Sequence, residues 1–377
     1  MKFLFRFFIP FGALLAIGCG GGGQDGPRPA QAPTAGSFTA TGDLATPRAH
    51  HTATLLPSGK VLVAGGLTYA AGLVPTASME TYDPAAGAFA PAAAMGTPRY
   101  AHTATLLQDG SVLLAGGMGG SALASAERYD PASGTVSPWG SMATPRSNHA
   151  AALLTVGPDA GKVLIIGGED AAGAPLASME VFDPAAGTFA PCPAALAGGR
   201  TRHTATVLED GRVIIAGGQA SAEVEVYDPA TRTLAVAGSM LQARSAHTAT
   251  LLPGSRLLLA GGHAGGALAG NEVCDLSQAA PTFTAAQAMG VPRRDHTATP
   301  LPGGPVLITG GSPAAGGSTV TGQAELFDPA RMAFVPAAKQ VDGVRNGTAT
   351  LLPGGKVLVV GGLDSLLEPT NAAALYK

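Results

Sequence analysis

Residues 48–66 read Arg48-Ala49-His50-His51-Thr52-Ala53-Thr54-Leu55-Leu56-Pro57-Ser58-Gly59-Lys60-Val61-Leu62-Val63-Ala64-Gly65-Gly66. The run from His51 to Leu56 mixes β-prone and small residues, which suits a crowded strand at the inside of a sheet. Pro57 to Lys60 is a hairpin turn in which Gly59 supplies positive φ. Val61 to Ala64 is a continuous aliphatic run, the pattern of a strand buried on both faces. Gly65-Gly66 ends the run at a place of close backbone approach or a bulge.

The same stretch returns at a period of about 50 residues. Its copies begin at Arg48, Arg99, Arg146, Arg200, Arg244, Arg293 and Arg345, and each closes in a Gly-Gly pair, the last being Gly361-Gly362. A second signature follows, Glu80-Thr81-Tyr82-Asp83-Pro84 in the first copy. It has counterparts at Glu127, Glu180, Glu225 and Glu325 and a degraded form, Glu272-Val273-Cys274-Asp275-Leu276. Asp followed by Pro opens a second hairpin turn, and a short apolar stretch such as Ala88-Phe89-Ala90 comes next. Four antiparallel strands repeated radially predict an all-β fold, a seven-bladed β-propeller of four-stranded antiparallel blades. The seventh copy ends at Tyr376-Lys377, on its third strand, whereas Phe38-Thr39-Ala40 precedes the first copy and matches a fourth strand. The N-terminal strand is therefore expected to close the last blade and remove the free edges.

This pattern resembles the Kelch repeat over residues 36–377, in the Gly-Gly followed by a spaced Tyr/Phe-Asp. The Trp usual in the fourth Kelch strand is replaced by Phe89, Val136, Phe189, Leu234, Phe283 and Phe334, with Trp139 further along its own strand. The resemblance extends to the central domain of galactose oxidase, a copper enzyme. That enzyme's site takes two Tyr, two His and a Tyr cross-linked to Cys. Here Tyr82, Tyr129, Tyr227 and Tyr376 sit at repeat positions, and Cys192 and Cys274 fall on outer strands. The copper site is thus not carried over, and neither a cofactor nor a metal is expected.

Lys2 and Arg6 precede an apolar run from Phe7 to Ile17, shorter than the roughly 20 residues needed to span a bilayer. Leu15-Ala16-Ile17-Gly18-Cys19 resembles a bacterial lipobox, which implies cleavage before Cys19 and lipidation of its sulfur. The expected organisation is a lipoprotein signal peptide at 1–18, a flexible tether at 19–35 and the propeller at 36–377. The tether is rich in Gly, Pro, Gln and Ala, a composition that stays flexible. By the same resemblance, the protein is expected in the cell envelope, attached to the membrane through lipidated Cys19. Gly20 after the cysteine points to the outer membrane of a Gram-negative bacterium. A net charge of −3 and the lack of any Lys/Arg run exclude a nucleic-acid partner. Cys192 and Cys274 fall in non-adjacent copies and are expected as free thiols in a monomer.

One pair of candidate site residues recurs in six copies: Arg48/His51, Arg99/His102, Arg146/His149, Arg200/His203, Arg244/His247 and Arg293/His296. In the seventh copy Gly347 takes the histidine place. The functional reading is a ring of ligands or anion-binding groups at the channel rim. The structural reading is a repeated hydrogen bond tying each blade to the next, and metal geometry favours it. Zn–N bonds are about 2.0–2.1 Å, whereas equivalent positions on neighbouring sheets stay far apart. His50 and His263 lie outside the pattern and carry no ligand signal. The repeated Glu and Asp recur once per copy and read as structural, and no catalytic constellation stands out. The loops after each Gly-Gly vary in length and content, and loops on a rigid scaffold are where function concentrates.

The expectation is a non-catalytic envelope scaffold that binds an unidentified protein or glycan partner. One alternative is a carbohydrate-active or oxidase-like enzyme with a site at the channel mouth, built from Glu169, Asp170, His263 and Asp364. Another is a structural surface protein that self-associates.

Overall fold

Hairpin turns and aliphatic runs of the repeat become four-stranded blades. The computed structural model describes residues 33–377 apart from 220, 279–280, 315–318 and 341. Cys19, the leader and most of the tether lie outside the described residues. Blade 1 pairs Thr52–Leu55, Val61–Ala64, Met79–Asp83 and Ala88–Ala92, in that order from the inside. Blades 2 to 7 begin with the inner strands Thr103–Leu106, Ala150–Leu153, Thr204–Val207, Thr248–Leu252, Thr297–Pro300 and Thr348–Leu351. All seven blade sheets are antiparallel, and no helix occurs among the described residues.

The second strand carries the packing. Val61 and Val63 face blade 7, where they meet Leu352, Leu358 and Val360. Leu62 and Ala64 face blade 2, where they meet Val112 and Leu114. A strand pressed on both sides must be apolar at every position, hence the unbroken aliphatic run. Each of the seven interfaces between blades has its own hydrophobic cluster of this kind. The Gly-Gly pair is the docking point between neighbours. Gly66 N–H donates to the Arg99 carbonyl of the linker to blade 2 at 2.8 Å. Gly65 lies at φ 61°, and a Cβ there would collide with that same carbonyl oxygen.

Closure runs through blade 7. Phe38–Ala40 pairs with the third strand Ala373–Tyr376 in the register Phe38↔Tyr376, Thr39↔Leu375 and Ala40↔Ala374. Phe38 lies tilted on Tyr376 with ring centroids 5.0 Å apart. Phe89 on Tyr82 at 4.9 Å, Phe189 on Phe182 at 4.7 Å and Phe334 on Phe327 at 5.0 Å repeat this contact. A phenylalanine on the outer strand thus packs on the third-strand ring in four blades. Outer strands run from the face bearing the Asp-Pro turns toward the face bearing the variable loops, so the chain enters blade 7 on the turn face.

Candidate functional site

The six Arg-x-x-His motifs begin where a linker crosses from one blade's outer strand to the next blade's inner strand. Their arginine side chains run into the blade body and not toward the channel rim; each is at most 2% exposed. In blade 1, Arg48 Nη1 donates to the carbonyl oxygens of Gly65 at 2.9 Å and Ser78 at 2.8 Å, and Nη2 donates to Glu80 Oε1 at 2.8 Å. Glu80 also accepts from the linker amides of Ala45 at 2.8 Å and Thr46 at 3.1 Å. The first glutamate of the second signature therefore serves as the buried counter-ion of the first signature's arginine. The pair recurs as Arg99–Glu127, Arg146–Glu180, Arg200–Glu225, Arg244–Glu272 and Arg293–Glu325. Burial lowers the pKa of Arg48, Arg99, Arg146 and Arg293, and the partner glutamate opposes that shift.

The histidines reach between blades. His102 Nε2 meets Thr52 Oγ1 of the preceding inner strand at 3.1 Å, and His149 meets Thr103 at 2.9 Å. His247–Thr204, His296–Thr248 and His51–Thr348 repeat the contact. His203 faces Ala150, which has no hydroxyl, and neither of its ring nitrogens has a side-chain hydrogen bond among the described residues. Burial, then the positive arginine of the same motif, pushes His51, His149, His203 and His296 down to about 3 and holds His102 and His247 well below their ordinary value.

Blade 7 departs from the frame by one residue. Gly311 N–H donates to Val344 O at 2.7 Å, as Gly66 N–H does to Arg99 O at 2.8 Å. Val344, not Arg345, therefore holds the arginine position. Ala374 opposes Val359 as Glu80 opposes Val63, so Ala374 holds the glutamate position. The reading that starts the seventh copy at Arg345 is one residue late, because the shortened spacing to Gly347 hides the slip.

A different set of residues meets on the axis. His50, Ala101, Asn148, Arg202, Ala246, Asp295 and Asn346 each stand two positions after the arginine or its valine substitute. His50 N–H donates to Asn346 O at 2.9 Å, Ala101 N–H to His50 O at 3.1 Å, and so on through all seven blades until Asn346 N–H donates to Asp295 O at 3.0 Å. This closed ring of backbone hydrogen bonds holds every member at positive φ, between 50° and 56°. Non-glycine residues adopt that conformation at a cost of about 1 kcal/mol or more each, which only an over-determined ring supports.

Side chains of the ring and its neighbours make a polar cup. His50 meets Tyr100 edge-on, with ring centroids 6.1 Å apart. Asp295 Oδ2 lies 4.0 Å from Arg294 Nε and 3.9 Å from Arg345 Nη1, both long for ion pairs. Exposed Arg202 has no ion pair or side-chain hydrogen bond among the described residues. Burial pushes His50 down to about 4; Asp295 resists the shift, and Arg202 and Arg345 add to it. Burial likewise lowers Arg345, against Asp295 and together with Arg294 and Arg202. On the opposite wall Glu169 accepts from Asn148 Nδ2 at 2.6 Å and Thr201 Oγ1 at 3.3 Å.

Of the four residues named for an enzyme site, Glu169 joins this cup through Asn148 and Thr201. Asp170 accepts from the amides of Ala172 and Ala174, and Asp364 from those of Leu366 and Glu368, so both shape their own loops. His263 bridges Ser245 through the backbone in blade 5, the repeat position that Glu169 holds against Ser147 in blade 3. Sequence reasoning set His50 aside, took Arg345 as the start of a copy, and passed over Arg202 and Asp295. The available signal was the second variable position of Arg-x-x-His, which holds Asn or Asp in three blades, residues that tolerate the left-handed conformation.

No protein-family model matches the sequence, and no curated protein matches it as a relative. Among solved structures, the fold is similar to that of a novel fungal alcohol oxidase of the AA5 family in complex with copper. The match has a TM-score of 0.77 and 17% identity, and covers 91% of this chain and 76% of that one. At that identity the likeness concerns the fold. Copper does not fit the residues present here. His50 is the one histidine in the axial ring, and no group of three His, Cys, Asp or Glu that could hold a metal occurs among the described residues. Cys192 Sγ lies 3.9 Å from the Tyr227 hydroxyl, on the outer side of the sheets and away from the axis.

Proposed function

We propose that this protein is a non-catalytic binding scaffold of the bacterial cell envelope, attached to the membrane through lipid on Cys19, and that its axial cup receives an anionic group of a protein or glycan partner. The observation that carries this reading is the imbalance at the mouth. Arg294 and Arg345 stand 4.0 and 3.9 Å from one carboxylate, Asp295, and exposed Arg202 adds a third cation, against Asp295 and Glu169 above a rigid ring. A planar guanidinium meets a carboxylate or sulfate through two parallel donors. Entry of the chain on the turn face leaves the loop face free for a partner. A Kelch ancestry accounts for the repeat, and outer-membrane sorting for Gly20.

The test is titration of the protein with carboxylated and sulfated oligosaccharides and with acidic peptides at two salt concentrations. Binding is expected to weaken as salt rises, and Arg202→Ala or Arg345→Ala is expected to lower affinity about tenfold or more, the scale of a lost charged hydrogen bond. Equal binding of anionic and neutral ligands would sink the reading. The fold's likeness to a copper alcohol oxidase motivates one rival, oxidation of an alcohol at the same mouth. Tight copper uptake with a tyrosine-radical absorption band and consumption of oxygen on alcohols would favour it. We expect neither.

A further inference from the structure

Six blades bury an arginine and a glutamate at the loop-face end of the sheet; in blade 7 the place is not refilled. Val344 and Ala374 stand at the two positions, and beside them lies a cavity of about 230 Å³. Phe38 and Gly361 line it together with the buried Gln340, whose Oε1 accepts from Thr309 Oγ1 at 3.0 Å. Two exposed carboxylates, Asp43 and Asp342, complete the lining at the solvent side. In blade 1 the two carbonyls that take the guanidinium belong to Gly65 and Ser78. Repeat register puts Gly361 and Ala372 at those positions. Gly361 N–H donates to Ala372 O at 3.0 Å, as Gly65 N–H donates to Ser78 O at 3.1 Å, so the backbone keeps the same form. Arg345, the next residue along, is directed to the axis and Asp295 instead.

We propose that blade 7 is a receptor for a guanidinium group supplied from outside the chain. The group lies where the other six blades carry their own arginine, between the Gly361 and Ala372 carbonyls, with Asp43 and Asp342 as counter-ions in place of the missing glutamate. A guanidinium has five donors in a rigid plane and sheds water more readily than an ammonium, which suits a niche of fixed carbonyls. Phe38 offers a ring face for cation–π contact. The volume falls below the roughly 300 Å³ at which drug-sized pockets begin, so the ligand is a single side chain or a small solute. A free guanidino compound and an arginine side chain on a peptide share this chemistry.

Calorimetric titration of the full chain with methylguanidinium tests the proposal, with methylurea as the neutral isostere and methylammonium as the other cation. Saturable heat with methylguanidinium and none with methylurea is expected. Asp43→Asn combined with Asp342→Asn should lower affinity at least tenfold. Val344→Arg combined with Ala374→Glu should fill the niche from within, abolish the binding and raise Tm. An N-acetylated arginine amide tripeptide that binds more tightly than methylguanidinium would identify a peptide source; equal or weaker binding would identify a free solute. No saturable heat with methylguanidinium overturns the proposal. So does binding that survives both the Asp pair and the filled niche. Should the filled variant fail to fold, the Asp pair alone decides.

Discussion

Blades 1 to 6 and blade 7 share strand order, hairpins, Gly-Gly docking and an aliphatic second strand, yet differ in their buried chemistry. The six carry an Arg–Glu pair under the linker; the seventh has Val344 and Ala374. Five of the six tie their histidine to the preceding blade through a threonine; the seventh has Gly347, and Thr297 turns its hydroxyl to Thr309 O at 3.3 Å. Arginine, glutamate and histidine are thus absent together. A buried charge without its partner is far more costly than no charge at all, so the pair is kept or lost as a unit. Blade 7 is also the blade closed by two distant parts of the chain. Pairing of Phe38–Ala40 with Ala373–Tyr376 supplies cohesion there that the other blades obtain within one repeat.

The largest effect expected from this contrast is acid sensitivity. The six motif histidines, and His50 on the axis, have pKa values lowered by burial, so each stabilises the fold fully above its unfolded value of about 6.5. That stability is lost as pH falls toward about 3, where most of the six titrate in the fold. Each contributes about 1.4 kcal/mol per pH unit in this window, and blade 7 contributes nothing. We expect Tm to fall steeply from pH 7 to pH 5, with several protons taken up on unfolding. A flat Tm over that range breaks the comparison.

Next in size is loss of a single member of a buried pair. Glu127→Ala or Arg99→Val should each cost about 3–5 kcal/mol, because each leaves a buried charge unpaired. The double variant, which copies blade 7, should cost clearly less than the sum. Additive losses in denaturant unfolding would show that the residues are not a unit. The converse sharpens the point: Val344→Arg combined with Ala374→Glu should rebuild the pair in blade 7 and raise Tm.

The smallest effect is a gain. His203 faces Ala150 and has no side-chain partner. Ala150→Thr supplies the hydroxyl that Thr52 offers His102, and should stabilise the protein by about 1 kcal/mol. The same substitution paired with His203→Ala should give no gain. If the gain persists without the histidine, β-propensity is its source and not the hydrogen bond.

Much of this architecture was legible along the chain. Repetition announced seven blades, Pro-Ser-Gly-Lys and Asp-Pro announced the turns, and the missing fourth strand after Tyr376 found its match at Phe38. The pairing of Arg48 with Glu80 was not legible, although both residues were read as repeated. They are separated by a loop, and nothing in their spacing says that one guanidinium and one carboxylate share a buried place. The axial cup was harder still. His50, Arg202, Asp295 and Arg345 stand in four different repeats, each looks like an exception within its own copy, and they meet only because a sevenfold ring brings the two variable positions of every motif to the axis.

Local sequence thus sufficed for what depends on neighbours in the chain: strand periodicity, turn chemistry and the count of blades, since these follow from backbone preference and from which faces must be apolar. Closure of the ring placed residues hundreds of positions apart on one axis. It set the left-handed backbone of the axial seven, and it left blade 7 with a niche where the others hold a charge. Those properties belong to distances across the molecule, which no single repeat contains.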